Sequence, residues 1–330
     1  MRVLITGSSG HLGEALLRDA SRVGHNAAGF DVKASEFTTH EGSITHRATV
    51  HRALDGIDAV IHCATLHKPH MATHSKQDFV DVNINGTLKL LEASVDAGVK
   101  AFVFTSTTSV FGDAMRPGKD RSAIWVDETL QPRCKNIYGA SKLAAENLCE
   151  IFARNHGLPT VVLRTARFFP ENDDDRQRRN QYCQTNLQVN ELLYRRADIA
   201  DMASAHWAAL TQASNIGFER LIVTATTPFD RADLAQLASQ APTVVERYFP
   251  EYRQVYRSKR WAIEPNIDRV YDNSRARRLL SWEPQYNFSD ALERVSKNRD
   301  HRSSLARAVG KKHYHAATFS DGPYPVDECA

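Results

Sequence analysis

Apolar positions along the chain alternate between two rhythms. Arg2–Thr6 (RVLIT) is a short apolar run of the buried-strand type, and the glycine-rich stretch Gly7–Gly13 follows directly. His11–Val23 then carries Leu12, Ala15, Leu16, Ala20 and Val23 at helical spacing. Asn26–Phe30 and Asp58–His62 read as further strands. Asp78–Ala97 reads as a long amphipathic helix closed by Gly98 at a C-cap position. Lys100–Thr105 predicts a strand, Tyr138–Asn155 a helix and Leu158–Arg164 another strand. Strands alternating with helices predict an α/β fold, a doubly wound parallel sheet covered on both faces.

After Arg164 this rhythm breaks. Arg167–Gln188 is polar and irregular, Arg196–Ala213 is a helix candidate, and Arg220–Thr224 a further strand. From Thr226 onward short helices, prolines and aromatics mix without a period. The division expected is a dinucleotide-binding domain of residues 1–166 and 196–225, a smaller mixed C-terminal lobe of 167–195 and 226–300 that closes over the sheet's carboxyl edge, and a tail of 301–330, extended or a packing arm. No internal repeat is present.

Composition narrows the classes. The chain has 330 residues, 42% apolar and 25% charged, as in ordinary globular proteins. A net charge of +3 with no basic block argues against a nucleic-acid partner. The local clusters Arg176–Arg179 and Arg275–Arg278 read as solvated helix faces. Five cysteines, Cys63, Cys134, Cys149, Cys183 and Cys329, are odd in number and widely spread, which fits reduced thiols. No stretch is apolar and long enough for a bilayer, and no signal-peptide core opens the chain, so a cytoplasmic protein with no membrane partner is expected.

Three segments carry chemistry. In Thr6–Gly13 (TGSSGHLG), Gly7 permits a tight strand-to-helix turn, Gly10 lets backbone approach a pyrophosphate, and Gly13 lets helix and strand pack. Asp31 stands at the end of the second strand, where a carboxylate receives ribose hydroxyls and repels a 2′-phosphate. NAD is therefore favoured over NADP, with Lys33 the one feature against. Tyr138-Gly139-Ala140-Ser141-Lys142 sets a phenol and an ammonium four residues apart, on one helix face. Such an ammonium lowers a tyrosine from about 10 towards working pH, and the phenol can then take a proton from a substrate hydroxyl. Thr105–Gly112 (TSTTSVFG) leaves a buried strand as a run of hydroxyls, which can steady a reacting oxygen or simply cap the strand end.

Together these residues resemble the extended short-chain dehydrogenase/reductase family, the NAD-dependent epimerase/dehydratase group. The likeness covers nearly the whole chain: Thr6–Gly13, Asp31, DAVIHCA at Asp58–Ala64, Asn83–Thr87, TSTTSVFG, YGASK, Val162–Arg164 and DNSRARRLLSWEP at Asp272–Pro284. The resemblance implies a Rossmann sheet and makes Tyr138 the acid/base, Lys142 its partner and a nicotinamide-ribose ligand, and Thr107 the assisting hydroxyl. It places Asn83 near the cofactor and Phe169-Pro170 beside the nicotinamide amide, and it implies a homodimer. The full set of cofactor contacts expected is Gly7, Ser9, Gly10, His11, Leu12, Gly13, Asp31, Ser43, Ile44, Cys63, Ala64, Thr65, Asn83, Thr105, Tyr138, Lys142 and Phe169.

The chain also departs from the family's pattern. Thr107 is followed by Thr108 and Ser109, without the acidic pair of the family's dehydratases, so elimination of water is not expected. Arg167 stands about where nucleotide-sugar epimerases carry an asparagine. An arginine fork there suits an anionic substrate group, and it equally suits a salt bridge to Asp173–Asp175. The lobe between Arg167 and Arg196 is short for gripping a nucleotide. His62, His67, His70 and His74 crowd one loop with no carboxylate or cysteine to complete a metal site, so no metal is expected. Thr107, Thr108, His67, His70 and Arg167 are the expected substrate contacts.

Three readings follow. The first is an NAD-dependent epimerase of a sugar or nucleotide-sugar, working through a transient ketone. The second is a net dehydrogenase or reductase of a non-nucleotide, anionic secondary alcohol. The third, a dinucleotide-sensing regulator without turnover, is disfavoured because both Tyr138 and Lys142 are kept.

Overall fold

A computed structural model describes residues 1–118 and 122–312. The apolar runs become strands β1 (Arg2–Thr6), β2 (Asn26–Asp31), β4 (Ala59–His62), β5 (Ala101–Thr107), β7 (Thr160–Thr165) and β8 (Phe218–Val223). With the two-residue β3 (His40–Glu41) they form one seven-stranded sheet, ordered β3-β2-β1-β4-β5-β7-β8. Every pairing in it is parallel. The winding reverses between β1 and β4, and a crevice opens at the carboxyl ends of such neighbours.

Strand periodicity accounts for two core layers. Val3, Ile5, Ile61, Val103, Val161 and Leu163 face one side, packed against helix α1 (His11–Ala20) and the later helix of Ile199–Ile216. Leu4, Val60, Phe102, Phe104 and Val162 face the other. There they meet α2 (Arg47–Ala53), α4 (Thr87–Asp96) and α5 (Ile137–His156), with α3 (Lys76–Phe79) preceding α4. The strands are therefore apolar throughout rather than alternating, which is why they read as continuous runs.

The remaining helices are α6 (Arg176–Gln181), α7 (Gln184–Glu191), α8 (Ile199–Ile216), α9 (Leu234–Tyr248), α10 (Tyr252–Lys259), α11 (Ser274–Leu280), α12 (Phe288–Ser296) and α13 (Ser304–Val309). A separate core of Val189, Leu193, Leu237, Val244, Tyr252 and Phe288 joins α7, α9, α10 and α12. Beside it β6 (Ile124–Val126) and β9 (Arg269–Tyr271) pair in parallel. Among the described residues no helix is long and apolar enough to cross a membrane.

Three elements differ from the sequence-based expectation. The long helix over Asp78–Ala97 is interrupted by a π-helical stretch, Val80–Gly86. Asn83 lies inside that wider turn and bonds Leu66, and π-turns of this kind cluster at functional sites. The stretch 167–188, expected to be irregular, contains α6 and the start of α7. Nothing in α6 is buried and α7 buries polar residues from Asn186 to Glu191, so neither shows an apolar period. The tail, expected as extended chain or as a packing arm, begins as helix α13, whose Val309 packs on Ala15 and Ile199. Asp198 anchors it by accepting from Ser303 N and Oγ at 2.9 and 2.6 Å. The rest of the expected tail, 313–330, lies outside the described residues.

Candidate active site

The crevice at the β1/β4 reversal is a cleft of about 1090 Å³, with the glycine turn along one wall. Gly7 takes φ +74°, and a Cβ there would lie 2.8 Å from Ala64 N. At Gly13 a Cβ would fall 2.0 Å from Gly7 O, so only glycine lets α1 sit this close to the turn. No side chain caps α1 at Gly10. An uncapped helix N-terminus facing a cleft is suited to phosphate oxygens. Asp31 closes the far end, its two carboxylate oxygens accepting from Ser9 N and Lys33 N, each at 2.9 Å. The backbone of the glycine turn thus fixes where that carboxylate points. Ser9, Leu12, Ser43, Ile44, Cys63, Ala64, Thr65 and Phe169 line the same cleft. This donor set fits a dinucleotide: a phosphate cradle beside a carboxylate for ribose hydroxyls.

A buried relay holds the cleft floor. Ala64 N donates to Thr6 Oγ1 (3.1 Å), which donates to His62 Nδ1 (2.7 Å). His62 Nε2 then donates to Thr87 Oγ1 (3.0 Å), which donates to Asn83 O (2.7 Å). This direction of donors satisfies every member only with a neutral imidazole. Burial first, and then the Lys142 charge, hold His62 well below its ordinary pKa. His62 is thus the buried end of β4, not part of the histidine-rich loop with which the sequence groups it. Asn83 continues the network, accepting from Leu66 N and donating to Leu66 O and Ser141 Oγ at 2.8, 2.8 and 2.9 Å. It ties the π-turn to α5.

At the other wall, Asn136 caps α5 by accepting from Gly139 N at 3.0 Å, which starts the helix one residue before Tyr138. Tyr138 and Thr107 both line the cleft. Thr107 Oγ1 accepts from Ser109 N at 3.1 Å. Lys142 and Asn83 are buried and do not reach the open cleft surface. Lys142 Nζ lies over the Phe104 ring at 3.9 Å, and burial lowers its pKa to about 8. One turn further along α5 is a residue that the sequence reading omitted. Glu146, fully buried, accepts Ser106 Oγ (2.5 Å), Arg164 NH2 (2.8 Å) and Arg220 Nε (3.2 Å). Its spacing, four residues past Lys142, was the available signal. The Glu146 carboxylate holds the end of β5 against α5, and with it the placement of Thr107. Cys63 Sγ bonds Thr105 Oγ1 (3.2 Å), and Thr105 bonds His206 Nε2 (2.9 Å), whose Nδ1 donates to Met202 O. Burial pushes the Cys63 thiol up to about 12, which leaves it protonated.

Thr108, His67, His70 and Arg167 also line the cleft. His67 N donates to His70 Nδ1 (3.0 Å), and the Phe169 ring lies 6.0 Å from His67 and 6.1 Å from His11. Arg167 bonds Asp173 Oδ2 at 3.0 Å and Asn172 O at 3.1 Å, so the salt bridge that the sequence allowed is formed. Asp173 also receives Arg178 and Arg195, while Glu191 receives Arg195 and Arg196. Burial would raise the Asp173 carboxyl, yet Arg167 and Arg178 hold it below the usual range. Arg178 is therefore a half-buried member of an ionic cluster around Asp173 and Glu191, not of the solvated face expected for Arg176–Arg179. Arg269 and Tyr271 of β9 complete this end, unanticipated because β9 is only three residues long. Among the described residues no group of three or more His, Cys, Asp or Glu side chains is arranged to hold a metal.

A doubly wound parallel sheet, an uncapped glycine turn and an ordered Tyr138–Lys142 helix face define a fold of the Rossmann class. The sequence model of the NAD dependent epimerase/dehydratase family matches residues 3–223, and the chain belongs to that family. A NAD-dependent glucose-6-phosphate dehydrogenase of Haloferax volcanii is 29% identical over 49% of this chain and 66% of its own. A UDP-glucose 4-epimerase of Rhizobium leguminosarum is 26% identical over 88% of this chain and 94% of its own. The chain spans about half the length of the first curated relatives it matches, from 39% to 66%. In fold it is similar to a short-chain dehydrogenase/reductase superfamily protein of Agrobacterium tumefaciens solved with bound NAD. That structure has a TM-score of 0.63 and 23% identity, covering 93% of this chain and 97% of that one.

Proposed function

We propose that this enzyme is an epimerase acting at a secondary alcohol of a sugar or nucleotide-sugar. The supporting observation is that α5 and β5 bring Tyr138 and Thr107 to one cleft that also carries the glycine turn and Asp31. The glycine turn and Asp31 would hold NAD, which would supply a reversible hydride acceptor for the alcohol carbon, with return to the opposite face giving the epimer. Tyr138 takes the hydroxyl proton and later gives it back. Lys142, held beneath it on the same helix face, favours the phenolate while its ammonium is charged. Thr107 accepts from Ser109 N, so its own proton can be directed to the reacting oxygen. Thr108, His67, His70 and Arg167 contact the substrate. A homodimer through α4 and α5 belongs to the same proposal, with Ile151 of α5 40% exposed and available to it.

A second reading, net dehydrogenation of a compact non-nucleotide secondary alcohol, is favoured by the ionic cluster. Arg167, Arg178, Arg195 and Arg196 are all paired within the protein, which leaves fewer cations for a nucleotide diphosphate. Denaturing the purified protein and identifying the released nucleotide separates the two. Stoichiometric NAD supports the epimerase, in which the cofactor is regenerated at each turnover. A protein that releases none and binds NAD weakly overturns it in favour of the dehydrogenase.

A further inference from the structure

The C-terminal arm reaches the cofactor cleft. Ser303 is fixed on Asp198 at the start of α8, and Val309 of α13 packs on Ala15 of α1. The chain that follows ends its described course at Lys312, which lines the same cleft as Gly10, His11 and Asp31. Two contacts set its position. Lys312 N donates to Glu171 Oε1 at 3.0 Å, and that oxygen also meets His11 Nε2 at 2.9 Å. Its ammonium pairs with Glu14 in the first turn of α1.

The charges explain why a cation is needed here. Glu14 and Glu171 are two carboxylates at the end of α1 that is suited to phosphate, and each disfavours an anionic ligand. Glu14 carries Arg18 as well as Lys312, so Glu14, Glu171, Arg18 and Lys312 sum to zero beside the uncapped turn, and without the Lys312 ammonium the sum is one negative charge. An ammonium on a flexible stem can pair with a carboxylate and a phosphate together.

We infer that Lys312, delivered by the docked α13 arm, is a ligand of the dinucleotide's pyrophosphate and helps retain the cofactor. The inference rests on the dinucleotide lying along the glycine turn and goes beyond the assignment of the reaction. Calorimetric titration of the full-length protein with NAD, ADP-ribose and adenosine tests it. Lys312→Ala and Lys312→Gln should each weaken NAD and ADP-ribose roughly tenfold, leave adenosine unchanged and flatten the salt dependence of NAD binding. Lys312→Arg should bind all three as the parent does. Unchanged NAD affinity in the Ala and Gln variants overturns the inference. So does an equal loss for adenosine, which would mean that Lys312 only anchors the arm. If the parent protein binds neither NAD nor ADP-ribose, the dinucleotide site itself is misplaced, a result distinct from either.

Discussion

At the scale of single residues, the side chains that face the cleft are local in sequence and those that fix them are not. Gly7, Gly10, Gly13, Tyr138 and Lys142 announce themselves by spacing within one turn or one helix face, so their proximity follows from the chain alone. Glu146 is equally regular in spacing, but its meaning comes from Ser106, Arg164 and Arg220, which lie 40, 18 and 74 residues away. No periodicity brings those together. Glu146→Gln leaves Arg164 and Arg220 buried beside a neutral amide, and removing one member of such a buried pair costs about 3 to 5 kcal/mol. Urea denaturation should show that loss. An unchanged midpoint would mean that the two arginines find other partners.

At the scale of elements, strands and long helices were legible because burial on both sheet faces produces long apolar runs. The failures have physical causes. A π-turn has no apolar signature, α6 has no buried face, and α7 buries polar groups satisfied by distant partners such as Tyr256 Oη on Asn190 (2.8 Å). The close approach of α1 to the glycine turn gives a sharp comparison. Gly13→Ala sets a methyl 2.0 Å from Gly7 O, whereas Gly24, although at a φ of +77°, has nothing within 4 Å of a new Cβ. Gly13→Ala should displace α1, lower the melting temperature and abolish NAD binding. Gly24→Ala should cost only about 1 kcal/mol of backbone strain and bind NAD normally. Equal behaviour of the two variants would mean that α1 can slide without consequence.

At the scale of the whole molecule, buried histidines set the response to acid. Burial holds His206 and His301 at about 4, and His62 well below its ordinary value. All three titrate near 6.5 in the unfolded chain. Between those values the unfolded state binds protons that the native state refuses, so each histidine removes up to ~1.4 kcal/mol of stability per pH unit as pH falls. Asp201 opposes them. Burial raises it to about 7, so over the same range the native state holds a proton that the unfolded state has lost. Glu128 and Glu264, also raised by burial, side with Asp201, and His25, lowered by burial, sides with the other histidines, so four groups against three leave a small net destabilisation on acidification. Denaturant midpoints should therefore fall steadily from about pH 6.5 towards about pH 4.5, and His206→Gln should reduce the slope by about one proton. A flat profile would place these imidazoles in contact with water.

The docking of α13 on α1 also bears on how the chain is made. Helix α1 is made well before α8 and keeps part of its apolar face uncovered until α8 arrives. Ala15 waits longer still, for Val309 of α13. The central strand β1 likewise gains its second neighbour only when β4 follows. Parallel pairings of this kind close long loops before they gain contacts, which slows folding and prolongs exposure of apolar surface. A nascent chain stalled before residue 304 would present an open patch on α1, a binding site for holdase chaperones that the arrival of α13 removes.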